Sequence, residues 1–173
     1  MKWNEAMIKD YICYLGYEWG VDCSNIPIRI SKRMTNTWGH YTFNARTFKP
    51  LEFVFSHFLL DGSYTDEEIK SVLKHEFCHY YVNTLHKKDC KHNNEFQKAC
   101  KFLNIDGSRY SKLKISENLK NYISSRNKYK VTCNKCGITF FQKRLPNHCT
   151  LENYNKNYRC ASCKGTLEIK PIK

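Results

Sequence analysis

From Asp66 to Leu85 the chain runs without a proline or glycine, and inside that stretch stands His75-Glu76-Phe77-Cys78-His79. Thr65 ahead of it can cap free N–H groups, and Asp66, Glu67 and Glu68 sit where a helix dipole favours acids, so the run reads as one long helix. At about 100° per residue, Ile69, Val72, Leu73, Phe77 and Tyr80 share a broad apolar face. Cys78, Val82 and Leu85 make much of the other side apolar as well, which predicts a buried helix. Two histidines four apart stand one above the other, close enough to hold one metal ion. Glu76 lies on the same side, where a carboxylate can reach a water held by that ion. The bland alternative is a buried helix with two hydrogen-bonded histidines, and the search for a third ligand weighs against it.

A hydrolytic zinc site takes three protein ligands and keeps one position for water. The metzincin pattern would place a glycine three residues after the second histidine and a histidine six after it. Those positions are Val82 and Leu85, so that pattern is excluded. His86 and His92 remain, with Asp89 and Glu95 as outside candidates. His86 is about two turns beyond His79 along the same helix, too far to reach the same ion. His92 follows a polar loop that can turn back, and is the preferred third ligand.

Ten cysteines raise the question of compartment. No apolar run approaches bilayer length, and Glu5, Lys9, Asp10 and Glu18 interrupt any signal-peptide core. The expectation is a cytoplasmic protein (nucleoid-associated in a bacterium), not a membrane protein, with a monomer as the simplest state. Thiols stay reduced there, so cysteines suggest metal ligands before disulfides. Cys133-x-x-Cys136 and Cys160-x-x-Cys163, separated by 23 residues, match a four-thiolate zinc ribbon. A module this small has too little core to stand without a structural metal. His148 or Cys149 could replace one of the four.

Net charge is +13, and residues 106–173 hold 15 basic against 4 acidic side chains, which is +11 of it. The basic character therefore belongs to the C-terminal part and points to an acidic partner, nucleic acid first, with a merely solubilising surface as the alternative. Aromatics interleave with cations there: Lys128, Tyr129 and Lys130; Phe140, Phe141, Lys143 and Arg144; Tyr154, Lys156, Tyr158 and Arg159. Lys128, Lys130, Phe141, Lys143, Arg144, Tyr158 and Arg159 are the candidates for stacking on bases and meeting phosphates. The ribbon's own core should claim one of Phe140 and Phe141.

Elsewhere, residues 4–19 repeat apolar side chains at helical spacing before Gly20, and 94–103 does so after a cap at Asn93 or Asn94. Residues 26–31, 35–43 and 50–60 read as strands, the second with a bulge at Gly39, the third with Leu51, Phe53 and Phe55 alternating. The fold class is α+β: a small three-stranded sheet packed on the H-E-x-x-H helix, followed by a small β zinc ribbon. The expected division is 1–108 for the first domain, 109–128 for a basic connector and 129–173 for the ribbon.

His75-Glu76-Phe77-Cys78-His79-Tyr80, a loop, and then His92-Asn93-Asn94-Glu95-Phe96 resemble the SprT-like family of zinc metalloproteins, which includes the bacterial SprT proteins and the DNA-dependent protease Spartan. Asn93 stands where the family commonly has glycine, and asparagine tolerates the left-handed backbone better than most residues. The stretch from Lys32-Arg33-Met34 to Trp38-Gly39 also resembles the family, whose members often end in a ribbon. The resemblance implies a zinc endopeptidase acting on proteins bound or crosslinked to DNA, with one catalytic zinc on His75, His79 and His92, and one structural zinc on Cys133, Cys136, Cys160 and Cys163. Glu76 would be the catalytic base. The competing reading is a non-proteolytic nucleic-acid-associated regulator of the transcription-elongation type.

Overall fold

Asn4 accepts the Met7 N–H at 3.0 Å and so starts helix α1 (Glu5–Glu18), which buries Ile8, Ile12 and Leu15 and stops at Gly20 in the left-handed region. The computed structural model describes residues 2–108 and 113–172. Residues 109–112 of the expected connector and the last ribbon residue, Lys173, lie outside the described residues. The chain divides into two compact units, Met1–Ser116 and Glu117–Lys173.

In the first unit, strands β1 (Ile28–Ser31), β2 (Gly39–Phe43) and β3 (Pro50–Ser56) form a mixed sheet in the order β1-β3-β2. β1 runs parallel to β3, with Ile28 opposite Phe53; β2 runs antiparallel to it, with Gly39 opposite Phe55. β3 is central, so Phe53, Val54 and Phe55 are all buried and its apolar run is continuous where alternation was expected. The bulge falls at Thr42/Phe43, not at Gly39. There Leu51 is skipped in the pairing and Phe43 faces Pro50, whose ring nitrogen has no proton to donate. The third strand ends at Ser56 because that side chain accepts the Phe58 N–H at 3.2 Å and turns residues 57–60 into a 3-10 turn.

Helix α2 (Asp66–His86) opens on a full capping box: Thr65 Oγ1 accepts the Glu68 N–H at 3.2 Å, and Glu68 Oε2 accepts the Thr65 N–H at 2.8 Å. Such a cap is worth on the order of 1 kcal/mol. α2 packs on α1, on β2 and on helix α3 (Asn94–Phe102). Ile69, Val72, Leu73, Phe77, Cys78, Tyr80 and Val82 are buried, which accounts for the apolar residues on both its sides; Leu85, near its end, is exposed.

The second unit begins with helix α4 (Glu117–Ser125), within the stretch read as connector, and continues through β4 (Tyr129–Cys133), β5 (Thr139–Gln142), the short α5 (Tyr154–Asn157) and β6 (Leu167–Pro171). β4 is central in an antiparallel sheet ordered β5-β4-β6. Its small core joins Val131, Tyr154 and Leu167 to Cys133 and Cys160. Among the described residues no helix is long and apolar enough to cross a membrane.

Candidate metal centre

α2 supplies His75 and His79, and α3 brings back His92. The return is built locally. Asn83, buried in α2, accepts the Cys90 N–H at 2.9 Å, and the Cys90 thiol points at the Val82 carbonyl, 3.7 Å away. Asn93 then caps α3 by accepting the N–H groups of Glu95 and Phe96, each at 3.1 Å. Its backbone is extended, so the tolerance for left-handed geometry expected of it is used instead by Lys91, at φ 47°. One turn into α3, buried Phe96 forms a floor under all three imidazoles: it stacks on His79 at 4.2 Å between centroids and meets His75 and His92 edge-on.

The ligand atoms of His75, His79 and His92 lie within 4.8 Å of one another, and Nε2 of His75 is 3.3 Å from Nε2 of His92. Tetrahedral zinc with nitrogen at 2.0–2.1 Å separates its nitrogens by about 3.3 Å, so the three imidazoles fit such an ion. All three are half-buried. Burial, reinforced by the neighbouring rings, pulls His75 down to about 4 and His79 to about 3, which leaves their lone pairs free at neutral pH. His86 is exposed, 4.0 Å from Glu95 Oε2 and outside the group, and Asp89 and Glu95 are outside it too. Cys78 points into a core shared with Cys90, Phe96 and Cys100.

Glu76 is turned towards the sheet. Its Oε2 accepts the Tyr41 N–H at 2.9 Å from edge strand β2. Burial raises its carboxyl to about 8, with the Tyr41 N–H pulling the other way. Gly39, two residues before Tyr41, lets the strand come this close: a Cβ there would stand 3.0 Å from Glu76 Cγ and 2.9 Å from Phe55 Cδ1. Sequence reasoning missed both contacts, although a glycine inside a strand is a signal of close backbone approach as well as of a bulge.

In the second unit, Cys133, Cys136, Cys160 and Cys163 form one group. Cys133 and Cys163 sulfurs are 3.5 Å apart, Cys136 and Cys160 sulfurs 3.7 Å. A tetrahedral zinc with sulfur at 2.3 Å separates its sulfurs by about 3.8 Å, and the cluster fits a zinc ribbon. Backbone N–H groups of Cys136 and Lys135 pull the Cys133 thiol down to about 6, and those of Cys163 and Ser162 lower Cys160, whereas the neighbouring Cys163 and Cys133 thiols push Cys136 up to about 12. Cys149 is not in the group; its sulfur meets Asn153 Oδ1 at 3.2 Å, and His148 is exposed.

The basic and aromatic candidates are less unified. Lys130 faces Phe141 across β4 and β5, and both are exposed. Lys128, Arg144 and Arg159 are exposed and Lys143 is half-buried. Tyr158 stacks on Tyr154 at 5.1 Å, and Tyr154 belongs to the core. Neither Phe140 (40% exposed) nor Phe141 (54%) is buried, against the expectation for one of them; the aromatic in the ribbon core is Tyr154.

The model of the SprT-like family matches residues 13–117. Among curated proteins, two named Protein SprT-like from Bacillus cereus, strains B4264 and ATCC 14579, are 27% and 28% identical over 142 residues, 82% of this chain and 79% of each relative. A third of that name, from Bacillus anthracis, is 24% identical over 139 residues, 80% of this chain and 78% of its own length.

Proposed function

Since the chain belongs to the SprT-like family, we propose that it is a zinc-dependent endopeptidase acting on proteins held on DNA. The observation that carries this reading is the pairing of three converging imidazoles with a buried carboxylate one residue from the first of them. A regulator with a purely structural metal needs no proton-transfer group there, although Glu76 also ties down edge strand β2 through the Tyr41 N–H.

His75, His79 and His92 would hold the ion through neutral ring nitrogens. Zinc bound there supplies Lewis acidity and makes a water easier to deprotonate. Glu76 does the proton work. Its Oε2 is tied to the Tyr41 N–H, which leaves Oε1 to take a proton from the attacking water and return it to the departing amine. Burial raises that carboxyl above the ordinary carboxylate range, which favours its holding a proton once it has taken one. Phe96 excludes solvent below the rings and fixes their planes.

Cys133, Cys136, Cys160 and Cys163 would bind a structural zinc that holds the ribbon together. Lys130 and Phe141, exposed side by side, would meet a phosphate and a base of single-stranded DNA, with Lys128, Lys143, Arg144, Tyr158 and Arg159 as further contacts. The test is incubation of zinc-loaded protein with a basic DNA-binding protein, with and without single-stranded DNA, beside Glu76→Gln. Fragments that require both DNA and Glu76 are expected. Intact substrate despite full metal content and measurable DNA binding would instead favour the regulator.

A further inference from the structure

The chain leaving α3 doubles back over the metal centre. Ile105 N–H donates to the Cys100 carbonyl at 3.0 Å, and Gln97 Nε2 donates to the Gly107 carbonyl at 2.8 Å. The same amide stands at 3.5 Å from the His92 carbonyl, a long contact beside the short one. Gly107 is buried, and a Cβ on it would press into the Gln97 carboxamide, with Cδ at 2.9 Å.

One residue earlier, the Asp106 backbone hydrogen-bonds the His75 ring. His75 Nε2 faces His92 Nε2, which leaves Nδ1–H as the donor and the Asp106 carbonyl as the acceptor. The Asp106 carboxylate is occupied locally, accepting the Ser108 N–H at 2.9 Å and shaping the turn. A metal-binding imidazole works in one tautomer and one orientation, and both are set by what its other nitrogen donates to. For His75 that partner is a carbonyl in an irregular segment, placed there by its neighbour's bond to Gln97.

We propose that Gln97 is a positioning residue of the metal centre: its amide fixes the Gly107 carbonyl, so that the adjoining Asp106 carbonyl holds His75 by Nδ1–H with Nε2 turned to the site. This rests on His75 and His92 being metal ligands, as read above. Gln97 itself is exposed and belongs to no core, so its replacement is expected to leave the global fold intact.

The experiment is performed on the full chain with Gln97→Ala and Gln97→Glu; the second keeps the length but replaces the donating amide by a carboxylate. Proton NMR reads the His75 ring N–H, which in the wild type gives a downfield, slowly exchanging signal. Chelator competition reads zinc affinity at the histidine site, with the ribbon's ion counted separately. Both variants are expected to lose the ring-proton signal and to bind zinc there about 10- to 100-fold more weakly, with thermal midpoints near that of the wild type. Retention of the signal and of wild-type affinity in both variants overturns the proposal, as does absence of the signal from the wild type. A wild type that shows the signal and binds zinc yet cuts no protein sinks the peptidase reading and leaves the positioning role of Gln97 standing.

Discussion

Gly39 and Glu76 touch across the gap between an edge strand and a helix, with the position of a glycine Cβ only 3.0 Å from the glutamate's Cγ. The two residues are 37 positions apart in the chain, and neither can be altered without consulting the other. Gly39→Ala inserts a methyl group between Phe55 and Glu76 and forces one of them to move. Denaturant unfolding should show a loss of about 1–3 kcal/mol. Because a carboxylate displaced by about 1 Å no longer meets its proton, turnover should fall about 100-fold while zinc content stays at the wild-type value. Wild-type turnover in a folded Gly39→Ala chain would show that Glu76 needs no fixed position.

His92→Ala removes one nitrogen of three. Elemental analysis of the purified chain should fall from two zinc ions to one, the remaining ion being that of the four cysteines, because two histidines on one helix hold zinc too weakly to survive dialysis. Two ions retained would place the third ligand elsewhere.

Asn83 touches no metal, yet it secures the turn that delivers His92. Asn83→Ala leaves the Cys90 N–H buried without an acceptor, at a cost of about 1–3 kcal/mol. The expected signature in hydrogen exchange is local: faster exchange at Cys90 and in the loop up to Asn93, with α1 and the sheet unchanged. A uniform acceleration over the whole unit would mean that Asn83 supports the fold and not the loop.

Lys130 and Phe141 should separate cleanly in binding to single-stranded DNA. Lys130→Ala removes one phosphate contact and should reduce the slope of log K against log salt by about 0.7. Phe141→Ala should weaken binding by about 1–3 kcal/mol and leave that slope alone, because stacking releases no counterions. Unchanged affinity in both variants would remove this face of the ribbon from the nucleic-acid contact.

Much of the molecule was legible from residue order because its strongest signals are local. The Thr65 cap, the acidic first turn and the unbroken run to His86 specify α2 without reference to anything distant, and the histidine spacing follows from helical geometry alone. The grouping of the four cysteines was legible for a similar reason, since two such knuckles admit few ways to come together. What escaped were relations across sequence. Nothing in Val54 announces that it lies on a central strand, where both faces are covered. Nothing in Tyr41 announces that its backbone N–H is spent on Glu76. The ribbon's core aromatic is Tyr154, which lies beyond a long loop from β5, and nothing local to Phe140 and Phe141 announces it.

The histidines that converge on one point are separated by at most 17 residues, whereas the sulfurs paired across the ribbon are 24 and 30 residues apart. Short separations close quickly, and a helical hairpin gathers its contacts sooner than strands that must find distant partners. The imidazole cluster can therefore assemble as soon as α2 and α3 have met, on a timescale set by helix docking, while the thiolate cluster waits for β6 to complete its sheet. A chain refolding in scarce zinc would then fill its two sites in order, the histidines first.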